Sequence, residues 1–492
     1  MFRRFLPVLA LALVLAACSD SASDPSAKDD DAGALDGGGG DAATAPDATA
    51  SLDAGEPLDA AAADGGLPPG LRDPHLRFDR SRLGPKGLAP KVGCQATGAG
   101  RCRWVSPSGA GDTCTQAAPC RVKTVLASLV AGDVVRFLAG TYDASQGALD
   151  RISMDKYGVV PTTPQTPIVF EPEPGQRVIF RGDAKAPCVW IDGTGNLVFQ
   201  GFEIEHCWEA GIRVGEDLQQ ATSNVTVRNS EFRDISCDDN MGAVFLTGVP
   251  GFTFENNVVH DFHKGSGRGL GMVIFRAKDL RVVSNEFYDL SEGIYYKHGE
   301  RTAGDGGTTG FYGNYFHDMP NKALGVNQNR TDVAYNVFED TGGLVLFEAD
   351  GTVADFLFDV HVRSTTFIRS DLKAMQRGDG FSGAQNTTVD HSIFYDGKLE
   401  IWPYGVDADF TEGIGWTSSD NCFYSSKGPP VFDYFVSSNP AYGQTTLGGA
   451  YAFEEWKALG FDLSSTVADP ELAPGTFVSQ AAACAAYGAY GP

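Results

Sequence analysis

The sequence predicts an all-β fold: a single right-handed parallel β-helix, three strands per coil, with an N-terminal helical cap and an irregular C-terminal cap. Three observations carry this. First, "VTVRNSEFRD", "FTFENNVVHD", "LRVVSNEFYD", "TGFYGNYFHD", "TDVAYNVFED", "VHVRSTTFIR" and "TTVDHSIFYD" share one frame, which "SSDNCFYSS" continues weakly. Second, the frame holds an apolar column, Phe232, Val259, Phe287, Phe316, Phe338, Phe367, Phe394 and Phe423, stepping by 22 to 29 residues. Third, each unit offers three short strand-like runs and no helical periodicity, as in "LRVVS", "EFYD" and "GIYYKHG" around Asn285. That period without helices excludes helical solenoids, and the spaced leucines of a leucine-rich repeat are absent. Three strands per unit let each coil pair with the next, ~4.8 Å along an axis.

The column predicts stacked inward rings. Two positions earlier stand Ser230, Asn257, Asn285, Asn314, Asn336, Thr365, Ser392 and Asn421. These are expected to form a side-chain ladder at the turn between the second and third strands of each unit. Two positions later stand Asp234, Asp261, Asp289, Asp318, Asp340, Arg369, Asp396 and Ser425. Carboxylates ~5 Å apart on consecutive coils repel by about 0.8 kcal/mol per pair even in water. The expected compensation is backbone N–H groups of each turn, with Arg233, His260 and His317 nearby; a row of bound calcium ions is the sharper alternative.

The segments ahead of the repeat have their own signatures. Residues 1–18 combine Arg3 and Arg4 with the apolar run "LPVLALALVLAA", too short to span a bilayer and typical of an export signal. It ends in "LAAC", which resembles the bacterial lipoprotein cleavage box. The resemblance implies that Cys18 is the lipidated first residue of the mature chain and that the protein is anchored to a bacterial outer membrane or cell surface. Residues 19–72 are Asp, Ala, Gly, Ser and Pro with almost no large apolar side chain, a composition that cannot offset its ordering entropy. They read as a disordered acidic tether. Residues 73–145 hold the cap, with one amphipathic segment from Val122 to Val130, and the first strands. The repeats fill 146–427 and the C-terminal cap 428–492.

Charge and cysteines bound the function. The chain of 492 residues carries a formal charge of −25. Residues 1–66 hold 3 basic and 12 acidic side chains, hence −9, which leaves −16 for the body. An acidic body without basic runs argues against nucleic acid and against a basic membrane-surface patch. An anionic substrate would need a local cationic site or a bridging metal. Nine cysteines follow Cys18, in an exported chain that tolerates disulfides; Cys94–Cys102 and Cys114–Cys120 are plausible local pairs. No zinc-type spacing appears. A monomer is expected.

The candidate site lies on the third strand of the units: "AGIRVGE", "GAVFLTG", "GMVIFRA", "GIYYKHG", "ALGVNQN" and "GLVLFEA". With Ile294 and Tyr296 inward, Tyr295 and Lys297 face outward. Neighbouring coils then present Arg213, Phe245, Phe275, Asn327 and Phe347 on the same face. Aromatic rings with a few polar or cationic groups suit a sugar chain.

The repeat, the segment "AGDVVRFLAGTY" and the closing "FEEWKALGFDLSSTVADPEL" resemble exported β-helix proteins of the pectate-lyase-like superfamily, over roughly residues 100–475. Within that superfamily, "SEGIYYKH" is similar to the catalytic strand of the alginate lyase and chondroitinase B family. The resemblance implies Glu292 as a calcium ligand and Lys297 as the base that takes the proton beside a uronate carboxylate. His298 adjoins it. Two departures stand out: the family's second acidic ligand falls at Leu290, and its arginine acid falls near Asn327. Arg276 on the preceding coil, or Arg301 or Arg330 in the loops, are the substitutes.

The sequence thus points to a surface protein that binds or processes polysaccharide, in its sharpest form a calcium-assisted uronate lyase. One alternative is a non-catalytic envelope adhesin or scaffold. The other is a polysaccharide hydrolase with paired carboxylates, for which Asp238, Asp239, Glu292, Asp305 and Glu348 are available. The Gly-rich "GERTAGDGGTTG", 299–310, lacks the ending of a phosphate loop.

Overall fold

A computed structural model describes residues 83–84, 101–144, 152–153, 162–183, 186–215, 222–235, 241–262, 269–297, 307–347, 358–375, 385–402, 416–439, 444–473 and 477–490. The chain divides into two units, Met1–Gly66 and Leu67–Pro492. The first lies wholly outside the described residues, and with it Cys18 and most of the tether.

In the coil around Asn285, Arg281–Val283 belongs to a first sheet, Glu286–Tyr288 to a second and Glu292–Lys297 to a third. Each sheet has twelve strands among the described residues, and the coil is right-handed. Apart from the C-terminal hairpin, strands pair in parallel with their counterparts one coil on, so Phe287 meets Val259 on one side and Phe316 on the other. The column runs in register and fully buried to Phe423. From Phe287 onward its rings stack 4.8–5.1 Å apart. Each buried ring contributes roughly 1.5–3 kcal/mol by leaving water, and ring–ring contact adds about 0.5–1.5 kcal/mol.

The amide ladder sits one turn earlier than expected, between the first and second strands of each unit. The Asn285 backbone N–H and side-chain Nδ2 both donate to Asn314 Oδ1, at 3.0 and 2.9 Å. Asn285 Nδ2 also donates to the Phe254 carbonyl at 2.9 Å, and Asn314 repeats the pattern toward Asn336. The reason for the position is backbone geometry. The residue before each rung adopts a left-handed conformation: Asn256, Ser284, Gly313, Tyr335, Ser364, His391 and Asp420 all have φ between 46 and 61°. One such residue turns the chain through the corner, and the next amide fills the inside of the bend.

The aspartate column has the same cause. Asp234, Asp261, Asp289, Asp318, Asp340 and Asp396 all have φ between 50 and 55°, a region that Asp tolerates better than most residues. Side chains, more than turn amides, meet their charge: His206 lies 3.1 Å from Asp234, His260 2.8 Å from Asp261, His317 2.7 Å from Asp318 and Arg369 2.5 Å from Asp340. Asp396 instead accepts the Ser426 N–H at 2.6 Å.

On the outer face of the second sheet, His260, Tyr288 and His317 stack with centroids 4.9 Å apart. His260 reaches back to Glu231 and His317 to Glu286, at 3.2 and 3.3 Å. Burial works to lower the pKa of both rings. The hydrogen bonds and charges of their two carboxylates outweigh it and raise the pKa. The His260 hydrogen bond, with Arg233 adding to it against burial, holds the Glu231 carboxyl down to about 2.

Both caps differ in detail from expectation. The helix spans only Val122–Leu126, with Val122, Val125 and Leu126 buried. Ser128 ends it by folding its hydroxyl back onto the Thr124 and Val125 carbonyls, at 3.1 and 3.2 Å. One strand, Cys102–Val105, precedes the helix and opens the first sheet. At the other end, Val431–Asn439 and Gln444–Ala452 form an antiparallel hairpin, followed by the helix Phe453–Ala458. Asp462, fully buried, accepts hydrogen bonds from Trp456 Nε1, Ser418, Ser465 and the last rung, Asn421, at 2.7–2.9 Å.

The Cys114–Cys120 pair forms as expected. Cys102 is disulfide-bonded, its partner outside the described residues. Cys188–Cys207 and Cys422–Cys484 are further pairs. The last of these brings the C-terminal tail back over the second sheet. There the Gly488 N–H donates to the His391 carbonyl at 2.7 Å and the Ala489 N–H to Thr366 Oγ1 at 2.9 Å. Phe477 rests against Tyr315 with centroids 5.3 Å apart.

Two expectations follow. Asn314→Ala orphans buried polar groups on both neighbouring coils and should cost about 2–4 kcal/mol, read from urea denaturation. His260→Phe keeps a ring over Tyr288 and removes the ionic contacts. The raised histidine pKa makes its contribution complete below the unfolded value, ~6.5, and lost as pH rises through the folded value. The depressed Glu231 pKa makes its contribution present above ~4.5 and lost toward 2. The stability gap between wild type and variant should therefore be widest near pH 5–6 and shrink by pH 9.

Candidate functional site

Turns are unequal around the coil. Two residues separate Val283 from Glu286, whereas Lys297 precedes Thr309, Phe347 precedes Phe358, Met375 precedes Gln385 and Trp402 precedes Trp416 across much longer connections. All four leave the C-terminal ends of third-sheet strands. Long connections also follow second-sheet strands, from Arg233 to Gly242 and from His260 to Leu270, whereas the first corner keeps two residues in every coil from Gln200–Glu203 to Ser419–Cys422.

The outer face of the third sheet carries its side chains in two rows. Register aligns Trp190, Arg213, Phe245, Val273, Tyr295 and Gly325 in one row. Thr247, Phe275 and Lys297 form the next. The expected aromatic face is therefore present, with Arg213, Phe245 and Tyr295 in one row and Phe275 beside Lys297 in the other. Ala210, Phe245, Leu270 and Val273 make a buried apolar cluster separate from the main core, with Met241, Phe275 and Tyr295 packed on it. Arg213 lies between two rings, 5.0 Å from the Trp190 centroid and 5.3 Å from Phe245, with Glu209 3.4 Å away.

The strand Glu292–Lys297 holds the densest chemistry. Ile294 and Tyr296 are fully buried in the core, and the Tyr296 hydroxyl donates to the Ala277 carbonyl. Tyr295 is half-buried on the outer side. Gly293 lies close against the next coil: a Cβ there would come 2.2 Å from the Ala323 carbonyl oxygen. Glu292 is buried, and Lys322 of the next coil approaches it, Nζ to Oε2 2.6 Å. The same Nζ stands 4.3 Å over the centroid of Tyr295. Lys322 was not among the residues expected from sequence. It precedes Leu324–Val326 by two residues, and only the register that pairs Ile294 with Leu324 brings it opposite Glu292.

The other expected residues fall as follows. Lys297 and Phe347 are placed by backbone alone, Lys297 following inward Tyr296 and pairing with Phe275. Arg276 is exposed at the corner just beyond, with φ 49°. Asn327 is buried at the corner after Leu324–Val326, off the strand itself. His298 and Arg301 lie outside the described residues, as do Asp238, Asp239, Asp305 and Glu348.

Lys322 Nζ lies 2.6 Å from the Glu292 carboxylate, and Leu290, at the expected position of the second acidic ligand, is buried in the apolar core.

Farther along the same face the chemistry turns ionic. Lys373 lies 3.6 Å from Asp371 and 3.4 Å from Glu400, and Lys398 lies 3.2 Å from Asp433. Glu400 and Asp433 are register partners on adjacent strands, and both are buried.

The fold defines a right-handed parallel β-helix protein. Residues 177–338, a third of the chain, match the family model described as right handed beta helix region. No curated protein matches the chain. Solved structures similar to it include the pectate lyase Pel9A (14% identity, 69% of this chain and 78% of that one, TM-score 0.39). A second is XylC in complex with xylose (10% identity, 69% and 86%, TM-score 0.45). A third is a mannuronic acid specific polysaccharide family 6 lyase from human gut microbiota (14% identity, 75% and 92%, TM-score 0.37).

Proposed function

We propose that the outer face of the third sheet binds an extended polysaccharide and processes it by β-elimination beside Lys297. The observation that carries the reading is the second apolar cluster. Half-buried Trp190, Phe275 and Tyr295 face away from the coil axis, with the Arg213 and Lys322 cations laid on rings between coils. A row repeating every coil, ~4.8 Å apart, suits a ligand that is itself a linear repeat.

In this reading Lys297 takes the proton from the carbon beside a uronate carboxylate. The electron pair forms the new C=C bond and expels the glycosidic oxygen, which is protonated in turn; Arg276 and His298 are the candidate donors. A cation must offset charge on the carboxylate as the proton leaves. The export-signal pattern and Cys18 support a reading in which the protein carries a lipid anchor at the cell surface. A second reading, hydrolysis, has a specific support of its own: the buried carboxylates Glu400 and Asp433 are register partners on adjacent strands, which places them as neighbours as a pair of catalytic carboxyls would be.

Incubation with uronate polymers should release unsaturated products absorbing at 235 nm, and Lys297→Ala should abolish the release. Absence of any such product, with or without added calcium, sinks the lyase reading. New reducing ends without that absorbance would favour hydrolysis. Cys18→Ala should lose incorporation of labelled palmitate in a bacterial host; unchanged labelling would count against the anchor.

A further inference from the structure

We propose that Lys322 is the group that receives the carboxylate of an acidic sugar, in the place where a metal ion would otherwise be needed. The inference rests on reading the third-sheet face as a glycan site. Its starting point is a charge problem. The body of the protein is strongly acidic, so a polyanion can settle on it only where a local cation is fixed and available.

Lys322 meets that requirement by position. Its ammonium is held at 2.6 Å by Glu292, a carboxylate 8% exposed, and lies 4.3 Å over the Tyr295 ring. The lysine side chain itself keeps 21% of its surface, so it is neither sealed in nor waving in water. Partial burial strengthens the charge it presents, and two fixed partners remove most of the freedom a surface lysine would lose on binding. An ammonium has three N–H donors in a tetrahedral spread, and Glu292 lies on one side of it. A sugar carboxylate approaching along the outer face would form a charge-assisted hydrogen bond with another.

Glu292 is then a positioning residue. It fixes the ammonium, and it cannot at the same time serve a dication, which the lysine would repel. The half-buried Tyr295 ring backs the same spot, and Lys297 follows it two residues on. A carboxylate on Lys322 would thus sit on the strand that carries the proposed base. That is where an elimination needs its electron sink.

The test uses the whole exported domain and affinity electrophoresis in gels cast with polygalacturonate, alginate, or a neutral polymer such as dextran or xylan, all with EDTA. Wild type should be retarded by an acidic polymer in EDTA. Lys322→Gln should weaken that binding roughly tenfold or more, while Lys322→Arg retains most of it. Glu292→Gln should weaken it less and leave it metal-independent. Thermal melts of each variant separate loss of binding from loss of fold, and restored binding in Lys322→Arg shows that the charge is what matters. Unchanged acidic-polymer binding by Lys322→Gln overturns the assignment, as does wild-type binding that appears only when calcium replaces EDTA. Binding to neutral polymers alone would leave the glycan face standing and remove Lys322 from its role. Binding to no polymer would overturn both.

Discussion

Everything in this molecule depends on a corner made from two residues. A left-handed residue turns the chain, and the following Asn, Ser or Thr fills the bend with hydrogen bonds to the coils above and below. Because Asn257, Asn285 and Asn314 each donate a backbone N–H and a side-chain amide to the next rung, and Ser230, Thr365 and Ser392 a backbone N–H, the corners resist sliding relative to one another. Register in one sheet is therefore register in all three. The phenylalanine stack is a consequence: rings 4.8–5.1 Å apart follow once the corners repeat at the strand spacing.

The same constraint explains where chemistry can reside. The first corner of each coil is committed to geometry and keeps its two-residue length from Gln200–Glu203 onward. The edge after the third strand is not, and the connections after Lys297, Phe347, Met375 and Trp402 are long. Side chains on the adjoining face are free of ladder duty, so aromatic rings and ion pairs can be placed coil by coil. The result is graded, with rings and cations from Trp190 to Tyr295 and alternating lysines and carboxylates from Asp371 to Asp433. Lys322 stands between the two regions.

Much of the fold was legible because its signals are periodic. The Phe column, the rungs and the three strands recur in the same order, so eight imperfect copies outweigh any one defect. The aspartate column was visible, yet its reason was not. Asp stands there for a backbone conformation; His260 and His317 were visible beside it in sequence, whereas His206 and Arg369 come into view only once the corner is known. The ladder was placed at the wrong turn because sequence order alone does not say which of three bends is tight. The site was harder still. Tyr295 and the aromatic row followed from alternation, but the approach of Lys322 to Glu292 did not. Lys322 belongs to no repeated column, and unequal loop lengths hide its register from the sequence.

The tail that Cys422–Cys484 ties back has a mechanical meaning. A stack of coils resists force poorly when its last coil can be peeled off one rung at a time. Here the chain end crosses the second sheet toward Thr366, so load applied at the terminus meets contacts on several coils in parallel. Peeling becomes shearing, in which many bonds must fail together.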